Sequence, residues 1–205
     1  MSELVFYTNP QSRGRIVRWM LEEVGAPYAT EILEYGTTMK SPEYLAINPM
    51  GKVPAIRHGE TVVTECAAIC AYLADAFPEA GLVPPPAERG AYYRWLFFAA
   101  GPLESAIVNA ALGFEVPEDK RMTVGYGTKD HALDAIETAI ADSPYVAGDA
   151  FSAADVYVGA QIAFGLQFGT VPKRDSFAAY VARATDREAY RRAVAIDDGV
   201  GEAGG

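Results

Sequence analysis

The sequence predicts a small α/β domain followed by a larger all-α domain. In the first 77 residues, short apolar runs alternate with helical periodicity in the order β-α-β-α-β-β-α. A proline run at 84–86 then ends this pattern, because consecutive prolines hold the chain extended and cannot continue a helix. Beyond the run only helical spacing recurs. The predicted division is 1–78 for the α/β domain, 79–86 for a linker and 87–205 for the all-α domain.

The chain begins with a β-α-β pattern. Leu4 to Tyr7 form a short apolar run that ends at the turn residues Thr8-Asn9-Pro10. From Ser12 onward apolar residues recur at helical spacing, and Gly25 is placed to cap the C-terminus of the helix. Tyr28 to Ile32 form the next strand. Two strands joined by one helix predict a parallel pair with a right-handed crossover.

A short helix, a hairpin and a longer helix complete the predicted α/β domain. The short helix covers Pro42 to Ile47. Two strand-like runs, 53–56 and 61–63, flank the turn residues His58-Gly59-Glu60, which is the pattern of a hairpin. Helical spacing resumes over 65–77.

The predicted all-α domain consists of long amphipathic segments. Helices are expected over 92–112, 129–141, 152–168 and 177–195. The glycine-rich tail 199–205 is expected to fray.

Composition excludes several classes of protein. A net charge of −10 argues against nucleic acid, whose phosphates require a basic surface. Apolar stretches are too short to cross a membrane, and the N-terminus lacks the basic start and apolar run of a secretory signal. Cys66 and Cys70 lie four residues apart on one helix, where a disulfide is geometrically poor, so a reducing cytoplasm is expected. His58 and His131 have no partners at metal-ligand spacing, so no metal is expected.

The turn after the first strand can hold an anion. Asn9-Pro10-Gln11-Ser12 opens a helix, whose unpaired N–H groups and positive dipole end favour an anion such as a thiolate. Asn9 and Ser12 stand at the spacing where a redox thioredoxin fold carries Cys-x-x-Cys, so dithiol exchange is excluded. The thiol is therefore expected to come from a ligand. The alternative is that Ser12 is only an N-cap.

The segment Asn48 to Pro54 can pair with a peptide. A cis Val53–Pro54 bond would present the Val53 N–H and C=O to a ligand that lies antiparallel to the chain. A bound tripeptide fits that geometry. The alternative is that Pro54 merely begins the strand, where its missing N–H is tolerated.

Glu65 and Cys66 stand at the start of the helix that follows the hairpin. Backbone N–H groups at a helix start bind carboxylates, and the Glu65 carboxylate can pair with an amino group. Together they match the α-amino-acid end of glutathione. The alternative is that Glu65 is a capping acid without a ligand.

These motifs resemble those of the glutathione transferase superfamily, with the first turn of a bacterial serine- or cysteine-type member. The segment NPMGKVPAI is similar to the family's Asn-Pro-x-Gly-x-Val-Pro, whose proline is cis, and TECAAICAYL to its Glu-Ser-x-Ala-Ile, with Cys66 replacing serine. The segment YTNPQSRGRIVRWMLEE resembles the first turn, and FSAADVYVG the Ser/Thr-x-x-Asp capping box. The resemblance implies a thioredoxin-like N-terminal domain, a proline-bearing linker and an all-α C-terminal domain.

The resemblance also implies roles for individual residues. Ser12 would donate a hydrogen bond to the glutathione sulfur, or Asn9 would if the gap in the turn is placed differently. Val53, before Pro54, would pair with the cysteinyl backbone, and Glu65 and Cys66 would hold the γ-glutamyl end. The remaining glutathione-site residues are expected to be Lys52 and Lys40, for the glycyl carboxylate, and Gln11, which would also adjoin the second-substrate pocket.

The all-α domain would supply the pocket for the second substrate. Its candidate lining residues are aromatic or apolar: Tyr92, Phe98, Pro102, Phe114 and Tyr126. Ser152 and Asp155 would be structural, as the capping box of a helix.

The function implied is that of an enzyme that adds glutathione, its co-substrate, to a small apolar electrophile, as in detoxification. A cytoplasmic homodimer without a metal is expected. Two alternatives stay open: glutathione-dependent peroxide reduction, isomerisation or ether cleavage, and a non-catalytic docking module with the same fold.

Overall fold

The computed structural model describes residues 3–203 and divides into two compact units. The first unit contains the chain up to Gly81 and the C-terminal residues from Arg187 onward. The second contains Leu82–Asp186.

The first unit is a four-stranded mixed sheet with helices. Its elements are β1 (Leu4–Thr8), α1 (Gly14–Val24), β2 (Ala29–Ile32), α2 (Pro42–Leu45), β3 (Ala55–His58), β4 (Thr61–Thr64), α3 (Cys66–Ala76) and, after the second unit, α9 (Glu188–Ala203). The strand order is β2-β1-β3-β4, with β1 parallel to β2 and antiparallel to β3, and β3 antiparallel to β4. The predicted β-α-β unit and hairpin are confirmed.

Helix α1 packs through a buried apolar face and ends at a C-cap glycine. Ile16, Val17, Met20 and Leu21 are at most 1% exposed. Gly25 adopts φ +66°, a left-handed conformation open to a residue without Cβ, and its N–H bonds to the Leu21 carbonyl at 3.1 Å. The expected C-cap is confirmed.

A second cluster holds the segment between β2 and β3 against the sheet. The β1 residues Val5 and Tyr7, which alternate with Phe6 and so share one sheet face, pack with Met39, Tyr44 and Ala55. Leu33, Ile47 and Val53 pack against this cluster. The loop that carries Lys40, Lys52 and Val53 is thereby fixed to the end of the sheet.

The second unit is all-helical within the described residues. Its helices are α4 (Gly90–Phe98), α5 (Glu104–Ala111), α6 (Lys129–Ala141), α7 (Ala153–Gln167) and α8 (Asp175–Thr185). The sequence predicted one helix over 92–112; instead a π-helical turn at Ala99–Leu103 separates α4 from α5. Pro102 lies in this turn, and because it lacks an N–H it cannot complete the α-helical ladder.

Helix α7 begins with the capping box that its sequence suggests. The Asp155 carboxylate is fully buried and accepts hydrogen bonds from Ser152 N at 3.0 Å, Val146 N at 2.8 Å and the Tyr180 hydroxyl at 2.9 Å. Ser152 and Asp155 therefore tie the start of α7 to the preceding loop and to α8.

The single helix expected over 177–195 is wrong. Helix α8 ends at Thr185, whose hydroxyl donates to the Val181 carbonyl at 2.8 Å, and Asp186 leaves helical geometry with ψ 59°. Phe177 and Tyr180 are buried in the second unit, whereas α9 belongs to the first. The tail expected to fray over 199–205 is helical as far as Ala203, and the last two residues lie outside the described range.

The units differ from the sequence-based domains in the place of α9, which contacts α1 rather than completing the all-α unit. The division into 1–78, 79–86 and 87–205 stays a prediction about folding and function. None of the helices in the described part of the chain is long and apolar enough to cross a membrane.

Candidate functional site

Ser12 is built into the turn that opens α1. Its hydroxyl donates to the Asn9 carbonyl at 2.6 Å and accepts from Gly14 N at 2.9 Å. Ser12 N also bonds to the Asn9 carbonyl, at 3.0 Å, and Arg15 N to the Ser12 carbonyl, at 3.3 Å. The N-cap position of α1 is Arg13, so the Ser12 hydroxyl binds the first N–H of the helix from one residue further upstream, and Ser12 is partly exposed there.

Asn9 has a different part in the same turn. Its side chain is 7% exposed; Nδ2 donates to the Leu33 carbonyl at 2.9 Å, and Oδ1 accepts from Gln11 N at the same distance. Both polar atoms of Asn9 thus bind backbone groups and fix the turn to the segment after β2. The Gln11 side chain is exposed.

Gly14 is a residue of the site that sequence reasoning missed. A Cβ at Gly14 would lie 1.9 Å from Thr8 Oγ1 and 2.9 Å from Ser12 Oγ, so only glycine lets α1 start this close to the end of β1. A glycine after a turn is a weak sequence signal. The close approach becomes visible only when β1 and α1 are placed together.

The segment before β3 is organised around the Lys52 carbonyl. The Tyr44 hydroxyl donates to it at 2.6 Å and Asn48 Nδ2 at 2.8 Å. Burial raises the pKa of Tyr44 to about 12, so its hydroxyl remains a donor. The Val53–Pro54 peptide bond that follows is cis, as expected, and Val53 is half-buried.

Lys40 donates hydrogen bonds to backbone carbonyls of the same segment. Its Nζ donates to the Gly51 carbonyl at 2.6 Å and to the Met50 carbonyl at 3.2 Å. Gly51 has φ +56°, and a Cβ there would lie 2.9 Å from Lys40 Nζ. Lys40 thus braces the loop, while the Lys52 side chain is exposed beside it.

Glu65 and Cys66 bring a second helix start to the first turn. Cys66, buried at the first position of α3, has its Sγ 3.7 Å from the Arg13 carbonyl. Exposed Glu65 precedes it with φ +68°, the only positive φ of a non-glycine residue in the described range. Such strain persists where surrounding structure enforces it and is concentrated at functional sites. The starts of α1 and α3 therefore lie side by side in the first unit.

The candidates for the second-substrate pocket occupy dissimilar environments in the second unit. Tyr92 is 1% exposed, Phe98 and Pro102 are half-buried, and Phe114 is 65% exposed. The Tyr126 hydroxyl accepts a hydrogen bond from Asn109 Nδ2 at 2.9 Å. The assignment of these five residues to a pocket stays a prediction.

Metal chemistry has no evident ligand set in the part of the chain that the structure describes. Over residues 3–203, no group of three or more His, Cys, Asp and Glu side chains could hold an ion.

The family comparison matches the first unit. Residues 12–76 match the family described as "Glutathione S-transferase, N-terminal domain". This range covers Ser12, the segment that ends at Pro54, and the start of α3.

Curated relatives extend the likeness beyond this domain. Glutathione S-transferase A of Pleuronectes platessa is 30% identical over 66% of this chain and 64% of its own length. Elongation factor 1-gamma of Prunus avium is 28% identical over 64% of this chain and 32% of its own length. The chain thus spans less than two thirds of each of these relatives.

A solved structure covers nearly the whole chain. A glutathione transferase homologue from sulfitobacter, with bound glutathione, is 26% identical and has a TM-score of 0.74 over 97% of this chain and 99% of its own. Family match, relatives and structural likeness agree with the thioredoxin-like sheet and the helical unit seen here. The chain is thus similar to glutathione transferases along nearly its whole length, and its residues 12–76 match the N-terminal domain of that family.

Proposed function

We propose that the protein is an enzyme that binds glutathione, stabilises its thiolate and adds it to an apolar electrophile. The observation that carries the proposal is the juxtaposition of two helix starts, with Cys66 Sγ 3.7 Å from the Arg13 carbonyl. The start of α1 offers the Ser12 hydroxyl and a positive dipole end to a thiolate, and the start of α3 is placed to hold a carboxylate. The relatives named as transferases support the activity.

Glutathione would lie along the edge formed by these elements. The Glu65 carboxylate would pair with the γ-glutamyl amino group, and the α3 N-terminus at Cys66 would hold the adjacent carboxylate. Val53, before the cis bond, would pair with the cysteinyl backbone. The exposed Lys52 is the better candidate for the glycyl carboxylate, because Lys40 already binds the Met50 and Gly51 carbonyls.

Ser12 is the group proposed to stabilise the sulfur anion. Both polar atoms of Asn9 bind backbone groups, whereas the Ser12 hydroxyl can turn its proton from the Asn9 carbonyl to a ligand by rotation about the Cβ–Oγ bond. The N–H groups of Gln11, Ser12, Gly14 and Arg15 already bond within the turn. Each unit by which the thiol pKa falls corresponds to about 1.4 kcal/mol of added thiolate stability.

The thiolate then attacks the electrophile. A bond forms between sulfur and the electrophilic carbon, and the leaving group departs with its electron pair or, in an addition, the adjacent atom takes up a proton. The second substrate would be held by the all-α unit. We further propose that the enzyme acts in the cytoplasm as a homodimer in detoxification. The buried Cys66 and Cys70 are not joined in a disulfide, which suits a reducing compartment.

A docking module is the second candidate, favoured by the similarity to an elongation factor 1-gamma. A docking module need not bind glutathione. Calorimetric titration of the purified chain with glutathione, followed by a conjugation assay with a chlorodinitrobenzene, separates the two.

The proposal predicts saturable glutathione binding and conjugation that both decline in Glu65→Gln. Binding without conjugation would favour peroxide reduction, isomerisation or ether cleavage over addition to this electrophile. No glutathione binding by a folded chain would contradict the proposal.

A further inference from the structure

We propose that the C-terminal helix α9 positions the turn 9–12 before α1, here called the glutathione turn, with Asp198 acting through Arg15. The inference rests on the proposed function of that turn. It concerns only the first unit, to which α1, α9 and the turn all belong.

Helices α1 and α9 carry matched charge patterns. From its N-terminus, α1 presents Arg15 and Arg18 and then Glu22 and Glu23, while the chain of α9 runs from Arg187 and Arg192 to Asp197 and Asp198. Because the two helices pack antiparallel, these patterns place opposite charges beside each other along the whole contact. The ion pairs are Arg15–Asp198 at 2.6 Å, Arg18–Asp197 at 3.2 Å, Arg192–Glu22 at 2.9 Å and Arg187–Glu23 at 2.7 Å.

The middle of this contact is buried and fixes its register. Arg18 and Asp197 are each 2% exposed, and Arg18 also donates to the Tyr28 hydroxyl at 3.0 Å and the Thr30 hydroxyl at 2.9 Å. Trp19 packs edge-on against Tyr190 with ring centroids 4.8 Å apart. Because a buried charge cannot slip without losing its partner, α9 has one register on α1.

The end of the contact reaches the glutathione turn. Arg15 uses one guanidinium nitrogen for Asp198, at 2.6 Å, and the other for the Pro10 carbonyl, at 3.4 Å. The planar guanidinium fixes the angle between two such contacts, which an ammonium group cannot do. Pro10 lies between Asn9 and Ser12, so the Arg15 bridge ties the middle of the turn to α9.

The bridge adds little to global stability. Arg15 is 29% and Asp198 56% exposed, and exposed pairs contribute roughly 0–1 kcal/mol. Its effect would instead fall on the orientation of the turn, where small misplacements of a reacting group reduce rates strongly. Asp198 is therefore a positioning residue.

The other end of the same helix pair provides a matched control. Arg192 donates to the Glu22 carboxylate at 2.9 Å and to the Glu22 backbone carbonyl at 3.1 Å, in the same combination of one carboxylate and one carbonyl. Arg192 is 51% exposed, and Glu22 stands in the last turn of α1, remote from the glutathione turn. Asp198→Asn and Arg192→Gln thus each remove one α1–α9 ion pair, but only the first releases the Arg15 bridge.

The direction of the pH effect separates positioning from simple electrostatics. Removal of the Asp198 charge would by itself favour a nearby thiolate and lower the midpoint of the pH–rate profile. A loosened turn has the opposite effect, because the Ser12 donor is less well placed.

The experiment compares wild type, Asp198→Asn, Arg15→Lys and Arg192→Gln in full-length protein by glutathione conjugation across pH and by thermal unfolding. We expect Asp198→Asn and Arg15→Lys to lower kcat/KM for glutathione by about threefold or more, less than the ~10²-fold of a 1 Å misplacement, and to raise the midpoint. Arg192→Gln should leave both at wild-type values, and all three variants should unfold close to wild type.

An Asp198→Asn profile that matches Arg192→Gln, or a midpoint that falls, would overturn the inference while wild-type activity still upheld the proposed function. A wild type that binds no glutathione would instead overturn the function on which the inference rests.

Discussion

At the residue scale, the candidate site combines groups with separate duties that the sequence motif alone does not distinguish. Asn9 and Ser12 both stand in the first turn, but Asn9 binds the Leu33 carbonyl and Gln11 N, while the Ser12 hydroxyl accepts from Gly14 N. Glu65 carries both a charge and a strained backbone, with φ +68°. The two properties of Glu65 can be separated by substitution.

Glu65→Gln and Glu65→Gly should weaken glutathione binding alike but differ in stability. Both remove the carboxylate, and loss of one charged hydrogen bond costs about 1.5–3 kcal/mol of binding. Only glycine adopts φ +68° without strain, so Glu65→Gly should be the more stable variant. Its free energy of unfolding should exceed that of Glu65→Gln by about 1 kcal/mol. Calorimetry and urea unfolding measure the two effects. Equal stability of the variants would show that the backbone at this position is not strained, and unchanged affinity would reduce Glu65 to a capping acid.

Motifs with specific spacing supply the candidates for the glutathione site, but they do not indicate which residues hold those motifs in place. Gly14 carries no signature, because its role depends on the approach of Thr8 Oγ1 from another element. In the sequence, nothing distinguishes Arg15 from the other charged residues expected on an exposed helix face. Its contact with Asp198 joins residues 183 positions apart, which no local pattern encodes.

At the element scale, close contact between β1 and α1 is the condition for the turn. Gly14→Ala would place a Cβ 1.9 Å from Thr8 Oγ1 and should destabilise the protein by about 1–3 kcal/mol as α1 is pushed away, with weaker glutathione binding. Thr8→Ala removes the obstructing oxygen. The double variant should therefore be more stable than Gly14→Ala alone, as measured by urea unfolding. A double variant in which the two losses simply add would show that the contact does not govern the position of α1.

The start of α7 should leave a pH signature. Burial raises the pKa of the Asp155 carboxyl above its ordinary value, although the hydrogen bonds from Val146 N, Tyr180 and Ser152 act in the opposite direction. The folded state then holds this proton to higher pH than the unfolded chain, so stability from Asp155 is fully present below the ordinary pKa and is lost as pH rises through the raised one.

Asp155→Asn removes this titration. We expect the free energy of unfolding of the wild type, minus that of Asp155→Asn, to be largest at acidic pH. This difference should fall as pH rises towards neutrality, because only the wild type loses stability when the carboxyl ionises. Urea unfolding of both proteins over this range measures it. A difference that widens with rising pH would mean that the hydrogen bonds prevail over burial and depress the pKa.

The helices of the C-terminal half were predictable as elements but not in their breaks. Periodicity located α6 and α7 closely. It also joined α4 to α5 and α8 to α9, because Pro102 is accommodated in a π-helical turn and Asp186 interrupts a pattern that continues to look helical on both sides. Which unit buries α9 depends on partners in α1, and these lie far away in sequence.

At the scale of the whole molecule, the chain returns to its first unit after completing the second. Helix α9 should therefore unfold locally together with α1, with a similar free energy of opening, and not together with α8, which directly precedes it in the sequence. Hydrogen exchange of the full chain, with and without glutathione, measures this. We expect glutathione to slow exchange in α1 and α9 together. If α9 instead exchanges in step with α8 and does not respond to the ligand, the sequence-based domain 87–205 describes the cooperative units better.

Ultraviolet absorbance of the thiolate, titrated with pH in the bound complex, measures whether the first turn stabilises the glutathione thiolate through Ser12. Free thiols ionise near a pKa of about 8.5. We predict a lower midpoint for glutathione on the wild-type protein, a rise towards the free value in Ser12→Ala with affinity nearly intact, and recovery in Ser12→Thr, which keeps the hydroxyl. A wild-type complex whose thiol titrates like free glutathione would show that the first turn does not stabilise the thiolate.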